Sequence, residues 1–327
     1  MSRLRFGVAG VGRLGAVHAR ILAEIDEVEL VAVHDVDAGR ARAVAVERGC
    51  RVFERSSDLW SHVDAVVVAA TTSAHHRTCA EALEAGCHVL VEKPIAATLA
   101  DADDLLARAE RAERVLAVGH VERFNPVVRA ARPLLDDPRF VTCLRLARFQ
   151  PRGTDVSVAL DLMIHDIDLV LGLVDSAVAH VEAIGVSLIT DTVDMANARL
   201  RFANGAVADV SASRASARPA RELRVFQDSG YFSLDLAAGR GEFLRRKSMS
   251  RAAIDPAEIG LADVVERQEI VGDDTEPLRA ELLAFIAAVR GEPSDVVRGA
   301  GGREALDIAL RIQTAIESAD HASAQDT

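Results

Sequence analysis

The sequence predicts an α/β protein of two domains, and three observations support this. In the first third, apolar runs of strand length alternate with segments of helical period, the order typical of a doubly wound parallel sheet. A glycine-rich turn follows the first of these runs. From residue 179 onwards, strand-like segments meet at short turns, which predicts a C-terminal α+β domain with an open, mostly antiparallel sheet.

In the first domain, continuous apolar runs mark the strands. Such runs are typical of strands that helices cover on both faces. Strands are predicted over Leu4–Ala9, Glu29–His34, Ala65–Ala70, His88–Val91 and Val115–Val118, and helices over Leu14–Ile25 and Ala38–Arg48.

The glycine-rich turn reads Gly10-Val11-Gly12-Arg13-Leu14-Gly15, and the second predicted strand ends at Asp35, 20 residues after Gly15. Gly10 permits the tight turn, Gly12 lets the backbone approach a pyrophosphate, and Gly15 lets the helix pack closely on the strand. The helix N-terminus offers free N–H groups to the phosphates. This arrangement predicts a dinucleotide-binding Rossmann domain, in which Asp35 binds the adenosine ribose.

The expected cofactor is NAD rather than NADP. A carboxylate at Asp35 repels a 2′-phosphate. Arg40 and Arg42 lie nearby in the sequence, and their positive charges favour NADP.

A lysine follows the strand His88–Val91 within Glu92-Lys93-Pro94. This position places Lys93 at the carboxyl edge of the sheet, where ligands bind in open α/β folds. Taken alone, the same pattern also fits a surface lysine before a turn.

Asp161 and His165 lie four residues apart in a segment of helical period, so they are expected on one helix face, with Asp168 nearly in line one turn later. A carboxylate beside an imidazole orients the ring and suits it to accept a hydroxyl proton. A helix-cap network or a solvated helix face is the alternative.

Taken together, the glycine turn, Glu92-Lys93-Pro94 and the Asp161–His165 pair resemble the Gfo/Idh/MocA oxidoreductase family over nearly the whole chain. The resemblance implies that Lys93 binds the reacting oxygen and stabilises its charge, that His165 is the general base, and that Asp161 orients the substrate or the imidazole. It implies hydride transfer to a nicotinamide without any metal.

One loop departs from the family pattern. Members often have Ala-Thr-Pro-Asn after the third strand predicted here, where this chain reads Ala70-Thr71-Thr72-Ser73. The loop is still expected to contact the cofactor.

His76 aligns with a histidine common in the family and is included in the cofactor set, with a structural role as the alternative. The expected cofactor-binding residues are Gly10, Gly12, Arg13, Leu14, Gly15, Asp35, Thr71, Thr72, His76, Glu92 and Lys93.

The segment Gly119–Pro126 links the last predicted strand of the first domain to a helix, and it is expected to contribute His120, Arg123 and Asn125 to substrate binding, with Lys93, Asp161 and His165. Arg123 and Asn125 equally fit a role in holding the interdomain turn.

The same linker and the segment Asp161–Asp168 resemble the family subgroup that oxidises UDP-N-acetylglucosamine at its 3-hydroxyl. In that subgroup an aminotransferase converts the ketone to an amino sugar for lipid A-type glycoconjugates. The alternatives are an inositol or simple-sugar dehydrogenase with the same triad, and a non-catalytic NAD-binding regulator.

The expected domains are an NAD-binding domain over 1–121 and a substrate-binding and oligomerisation domain over 122–327. In the second domain, strands are predicted over Ala179–Leu188, Met195–Phe202, Ala206–Ser213 and Glu222–Gln227, and terminal helices over Pro277–Val289 and Gly302–Glu317, with a frayed tail from Ser318. The family resemblance implies a homodimer or homotetramer.

Composition excludes several other classes of function. Acidic residues outnumber basic ones by 50 to 38, which argues against non-specific nucleic-acid binding. No apolar run approaches the roughly 20 residues that a membrane-spanning helix needs. The four cysteines are scattered and form no zinc or redox pair. A cytoplasmic enzyme with a small-molecule substrate is therefore expected.

Overall fold

The computed structural model describes residues 3–151, 156–247 and 260–325, and only the backbone of residues 320–325. The chain divides into two compact units, each built around its own sheet. The first unit comprises Met1–Val121 and Glu276–Asp307, and the second comprises Glu122–Thr275 and Ile308–Thr327.

A six-stranded parallel sheet forms the centre of the first unit, in the order β3-β2-β1-β4-β5-β6. Its central strands are buried on both faces, which explains their continuous apolar sequences. The predicted doubly wound sheet is confirmed. The strands are β1 (Leu4–Ala9), β2 (Val28–His34), β3 (Arg51–Val52), β4 (Ala65–Val68), β5 (His88–Glu92) and β6 (Leu116–Gly119).

Helices connect these strands, and local sequence signals set several of their ends. The Asp37 side chain caps the second helix by accepting the Arg40 N–H, and Gly49 ends the same helix in the left-handed conformation, with φ of +68°. Thr98 caps the fifth helix by accepting the Asp101 N–H. The helices are α1 (Arg13–Ala23), α2 (Ala38–Arg48), α3 (Ser56–Trp60), α4 (Thr72–Glu84) and α5 (Leu99–Ala112).

The second unit contains an eight-stranded sheet in the order β14-β13-β12-β11-β7-β10-β9-β8. Only the β7–β10 pair among these described strands is parallel, so the predicted mostly antiparallel sheet is confirmed. The strands are β7 (Phe140–Leu146), β8 (Val178–Val186), β9 (Met195–Phe202), β10 (Val207–Ser213), β11 (Ala220–Gln227), β12 (Gly230–Asp235), β13 (Arg240–Arg246) and β14 (Val265–Val271).

Burial alternates along the central strands of this sheet, so one of its faces forms the core of the unit. The helices are α6 (Pro126–Ala131), α7 (Ile164–Leu173) and α8 (Leu261–Val264). A π-helical turn, Ala159–Met163, runs directly into α7.

Two helices complete the chain, α9 (Pro277–Val289) and α10 (Gly299–Gln325). The boundary between the two units at Asp307 lies within α10. Helix α10 continues through the start of the tail expected from Ser318, and residues 326–327 lie outside the described residues.

The structure corrects the expectation of a continuous second domain over 122–327, because Glu276–Asp307 belongs to the first unit. Helix α9 buries Leu282 and Phe285 in the core cluster that contains Phe6 of β1. The Phe6 and Phe285 rings meet edge to face, with their centroids 6.0 Å apart. The apolar pattern of α9 predicts a buried face, but it does not say which sheet that face covers.

Candidate active site

The carboxyl ends of the parallel strands lie at one edge of the first unit, and several residues predicted to bind cofactor or substrate follow them. Gly10 follows β1, Asp35 follows β2, Ala69 follows β4, Lys93 follows β5 and His120 follows β6. The strand order steps in opposite directions from β1 to β2 and from β4 to β5, and the crevice at such a switch point is where open α/β folds bind ligands.

The glycine turn is shaped by close approaches that a side chain would block. Gly10 has φ of +87°, and a Cβ there would lie 2.7 Å from the Ala70 nitrogen. A Cβ on Gly15 would lie 1.9 Å from the Gly10 oxygen. Gly12 precedes α1, whose first turn carries no acidic residue, so its N–H groups suit an anionic ligand.

The Asp35 carboxylate lies beside this turn. Its Oδ2 accepts the Val11 N–H at 2.8 Å, and its Oδ1 accepts the Asp37 N–H at 2.8 Å. The Arg40 guanidinium lies 3.5 Å from Oδ2, whereas Arg42 donates to Ala38 of its own helix. A glycine cradle, a helix N-terminus and an oriented carboxylate together fit a dinucleotide.

The other expected cofactor residues of the turns lie at the starts of two helices. Arg13 and Leu14 form the first turn of α1, where the Leu14 side chain is exposed. Thr71 precedes α4, with its hydroxyl 3.3 Å from the Ser73 hydroxyl, and Thr72 is the first residue of α4. In a parallel α/β sheet both helix starts lie at the carboxyl edge.

Glu92 ends β5 and turns its carboxylate into the unit. Oε1 lies 2.8 Å from His18 Nε2, and Oε2 accepts the Lys93 N–H at 3.3 Å. A Cβ on Gly119 of the neighbouring strand would lie 3.1 Å from this carboxylate. The placement favours an internal role over the expected cofactor contact.

Two adjacent histidines on α4 have different surroundings. His75 is buried, with Nδ1 2.8 Å from the Pro94 oxygen and Nε2 3.1 Å from the Ala70 oxygen, and burial lowers its pKa. His76 is partly exposed and pairs with Asp104 of α5 at 2.8 Å. The geometry supports the structural alternative for His76.

His75 is not among the residues predicted from the sequence, although the sequence carries a signal for it. Apart from Ala80, the buried positions of α4 form a stripe with intervals of three and four residues, and His75 belongs to this stripe whereas His76 does not. A polar ring in an apolar stripe indicates a buried side chain with specific partners. The stripe contains His75, Thr78, Cys79, Ala82 and Leu83.

In the second unit, Asp161 and His165 lie in consecutive turns of different geometry. Asp161 belongs to the π-helical turn, and His165 to the first turn of α7. The expected single α-helix is therefore corrected, and the wider π turn alters the one-face spacing assumed for the pair. Both residues are partly exposed. Single π turns are frequent at functional sites.

Buried carboxylates alternate with these residues along α7 and pair with arginines. Asp166 holds Arg145 of β7 through two hydrogen bonds of 2.7 and 2.8 Å, and Arg145 also donates to Glu122 at 2.9 Å. All three are buried. Burial raises the pKa of Glu122, but the Arg145 guanidinium outweighs this effect and holds the pKa below its usual range.

Arg145 also could have been recognised in the sequence. It shares the buried face of β7 with Val141 and Cys143. A charged residue in that register requires an opposite charge, because an unpaired buried charge is very costly.

The remaining expected substrate residues are largely engaged within the second unit. Arg123 donates to both carboxylate oxygens of Asp168 at 2.7 and 2.8 Å, and Asp168 is fully buried, whereas Asp161 and His165 are partly exposed. Asn125 caps α6 through the Val127 N–H and donates to the Leu236 oxygen. These contacts support the structural alternative for Arg123 and Asn125.

His120 is buried at the end of the first unit.

Among the described residues, no group of three or more His, Cys, Asp or Glu side chains could hold a metal ion. Within the same residues, no helix is long and apolar enough to span a membrane.

Family models match both units. The model described as an oxidoreductase family with an NAD-binding Rossmann fold covers residues 4–120, and a GFO/IDH/MocA C-terminal domain covers residues 134–233. The chain belongs to the Gfo/Idh/MocA oxidoreductase family. This result confirms the predicted family, the NAD-binding Rossmann domain and the assignment as a dehydrogenase that acts on a CH–OH group.

One relative matches along its whole length. UDP-N-acetylglucosamine 3-dehydrogenase from Acidithiobacillus ferrooxidans is 36% identical over 97% of this chain and 99% of its own. A solved structure of that enzyme superposes with a TM-score of 0.88, at 35% identity, and covers 97% of this chain and 99% of its own. Inositol 2-dehydrogenase 1 from Saccharopolyspora erythraea is 37% identical over only 54% of this chain and 56% of its own.

Proposed function

We propose that this family member oxidises the 3-hydroxyl of UDP-N-acetylglucosamine to a ketone with NAD. The observation that carries the proposal is the end-to-end similarity to the Acidithiobacillus enzyme of that name, which extends through both units. The similarity to an inositol dehydrogenase covers about half of either chain. A sequence match that extends over both units is the stronger support.

NAD is the proposed cofactor rather than NADP. The Asp35 carboxylate beside the glycine turn would accept hydrogen bonds from the two ribose hydroxyls and would repel a 2′-phosphate. The N–H groups at the start of α1 would bind the pyrophosphate. Bound NAD supplies the hydride acceptor of the reaction.

Three side chains would carry the remaining chemistry. Lys93, at the carboxyl end of β5, would hold the reacting oxygen and stabilise its developing negative charge. His165, on the first turn of α7, would accept the hydroxyl proton. Asp161, in the preceding π turn, would orient the substrate or the imidazole.

The test follows absorbance at 340 nm with purified protein, NAD or NADP, and a panel of UDP-N-acetylglucosamine, its uronic acid, UDP-glucose, myo-inositol and glucose. A ketone trap draws the equilibrium forward. We expect NADH from UDP-N-acetylglucosamine. His165→Asn should lower kcat by about 10²- to 10⁴-fold while it retains NADH binding.

Other outcomes separate the alternatives. NADH from a free polyol or hexose alone would assign the protein to the inositol and simple-sugar dehydrogenases. NADH binding without turnover of any substrate would instead support a non-catalytic regulator.

We further propose a homodimer or homotetramer in the cytoplasm, where NAD and nucleotide sugars are found. One face of the second sheet carries an aromatic cluster, Phe140, Phe226 and Tyr231, with ring centroids 5.8 and 4.5 Å apart. Phe226 is 40% exposed, which is typical of a contact surface. Light scattering of the purified protein tests this proposal, and a monomer would contradict it.

A further inference from the structure

Two buried histidines flank the turn that carries Lys93. His18 of α1 contacts the Glu92 side chain before the lysine, and His75 of α4 contacts the Pro94 carbonyl after it. Both rings are almost completely inaccessible to solvent. The residues on either side of Lys93 are therefore contacted by different helices.

The His18 ring is directed at Glu92. Among the described residues, its buried Nδ1 has no hydrogen-bond partner, so a proton there would be unsatisfied. The tautomer with the proton on Nε2 is favoured, and it donates to Glu92 Oε1 at 2.8 Å. The other carboxylate oxygen accepts the Lys93 N–H, so the contact leads from α1 to the lysine backbone.

The His75 ring links two loops of the carboxyl edge. Its nitrogens lie 2.8 Å from the Pro94 oxygen and 3.1 Å from the Ala70 oxygen. Ala70 belongs to the loop between β4 and α4, which also packs on Gly10. The ring thus connects the Lys93 turn to the loops that form the proposed NAD site.

Placing histidines at these two buried positions costs free energy, and a role in packing alone does not explain that cost. Burying an imidazole without full hydrogen bonding is unfavourable, and an apolar side chain of similar size would avoid that cost. Among the described residues, the polar contacts of both rings lead to the Lys93 turn or to the loop beside it.

We propose that His18 and His75 are positioning residues that set the place of Lys93 relative to the cofactor loops. The inference rests on the proposed function, in which Lys93 holds the reacting oxygen. Because a catalytic group must lie within a fraction of an ångström of its working position, losing either contact slows the chemical step more than it weakens cofactor binding.

The sequence offers a direct readout of Lys93, because Lys93 and Lys247 are its only lysines. Protein labelled with ¹³C at lysine Cε gives two lysine signals, and Lys247→Arg assigns them. Lys247 donates to the Ala262 oxygen in the second unit and serves as an internal reference. This measurement requires no turnover.

The variants are His18→Leu, His18→Gln and His75→Leu. The matched control is His88→Gln, which alters a histidine at the opposite end of β5, where Nδ1 accepts the Val115 N–H. In both leucine variants we expect the Lys93 signal to shift, kcat to fall about 10- to 100-fold, and the KM for substrate and the Kd for NADH to change less than about twofold.

His18→Gln keeps a donor for Glu92 and should recover most of kcat and the wild-type Lys93 signal. The control should leave both unchanged. The proposal is overturned if the leucine variants lower only the melting temperature, with the Lys93 signal and kcat as in the wild type.

Failure of the proposed function is distinguishable from this outcome. If the wild-type protein oxidises another alcohol, that alcohol serves in the kinetic experiment. If it oxidises none, the Lys93 signal alone decides whether the histidines position the lysine.

Discussion

At the level of single residues, the choice between NAD and NADP involves two neighbouring side chains of opposite charge, Asp35 and Arg40. The Asp35 carboxylate is buried and held by two backbone N–H groups, whereas the Arg40 guanidinium beside it is about half exposed. A buried, oriented carboxylate discriminates more strongly than a screened surface cation. The pair therefore supports the proposal that NAD is the cofactor, and it leaves a positive charge beside Asp35.

Removing the Asp35 carboxylate should weaken the preference for NAD over NADP. We expect Asp35→Ser to raise the KM for NAD by about 10- to 100-fold, the value of one or two hydrogen bonds to a charged group, and to improve use of NADP through Arg40. Initial rates at 340 nm with both cofactors measure the ratio.

A neighbouring carboxylate supplies the control. Asp37→Ser removes a charge two residues away but keeps a side chain that can cap α2. Equal loss of NAD affinity in both variants would contradict a specific role for Asp35.

At the scale of elements, a single buried carboxylate organises the loop between β8 and β9. Asp194 Oδ2 accepts the N–H groups of Leu188, Ile189 and Thr190 at 2.9, 2.6 and 2.8 Å. Burial raises the pKa of Asp194, but these hydrogen bonds outweigh it and lower the pKa to about 2. The adjacent Val193 accepts the Val158 N–H, which ties the loop to the segment preceding Asp161.

This pKa predicts a pH dependence of stability. A depressed carboxyl pKa contributes stability above the unfolded value of about 3.9, and the contribution is lost as the pH falls toward 2. We expect Asp194→Asn to lower the free energy of unfolding by about 2 kcal/mol at pH 7. The difference from wild type should shrink between pH 4 and pH 2.

Urea denaturation across that pH range measures the effect. Asp228→Asn, an exposed carboxyl at the end of β11, is the control and should change stability little at any pH. A constant difference between Asp194→Asn and wild type down to pH 2 would refute the linkage.

At the scale of the whole molecule, the first unit needs residues from both ends of the chain. A core whose other buried members come from the first 117 residues is completed by Leu278, Leu282, Phe285, Ile286, Ala288 and Val296. The NAD-binding unit is therefore not a self-sufficient N-terminal fragment.

Substitution of a buried residue in α9 should destabilise the first unit. Phe285 is fully buried against Phe6, so Phe285→Ala should lower the free energy of unfolding by about 3–5 kcal/mol. Leu283→Ala, on the exposed side of the same helix, should cost less than about 1 kcal/mol. Chemical denaturation, monitored by the fluorescence of bound NADH, measures the free energy of unfolding of both variants. Equal decreases would contradict the placement of Phe285 in the core of the first unit.

Much of the site can be predicted from sequence because its signals are local. The glycine turn depends on backbone freedom and helix packing within six residues, and Asp35 and Lys93 each follow a strand by one residue. Such features depend on chain geometry, which neighbouring residues determine. The π turn at Asp161 was not predictable in this way, since its extra residue leaves no distinct apolar period.

From the residues alone we predicted the parallel sheet of the first domain, the mostly antiparallel sheet of the second, the dinucleotide turn and the family. Strands β7 and β12 to β14 were not predicted. The folded structure was needed to show that His75 contacts the Lys93 turn, that Arg123 pairs with Asp168, and that α9 packs in the first unit. Periodicity shows that a side chain is buried, but its partner lies tens or hundreds of residues away. Packing alone brings those partners together.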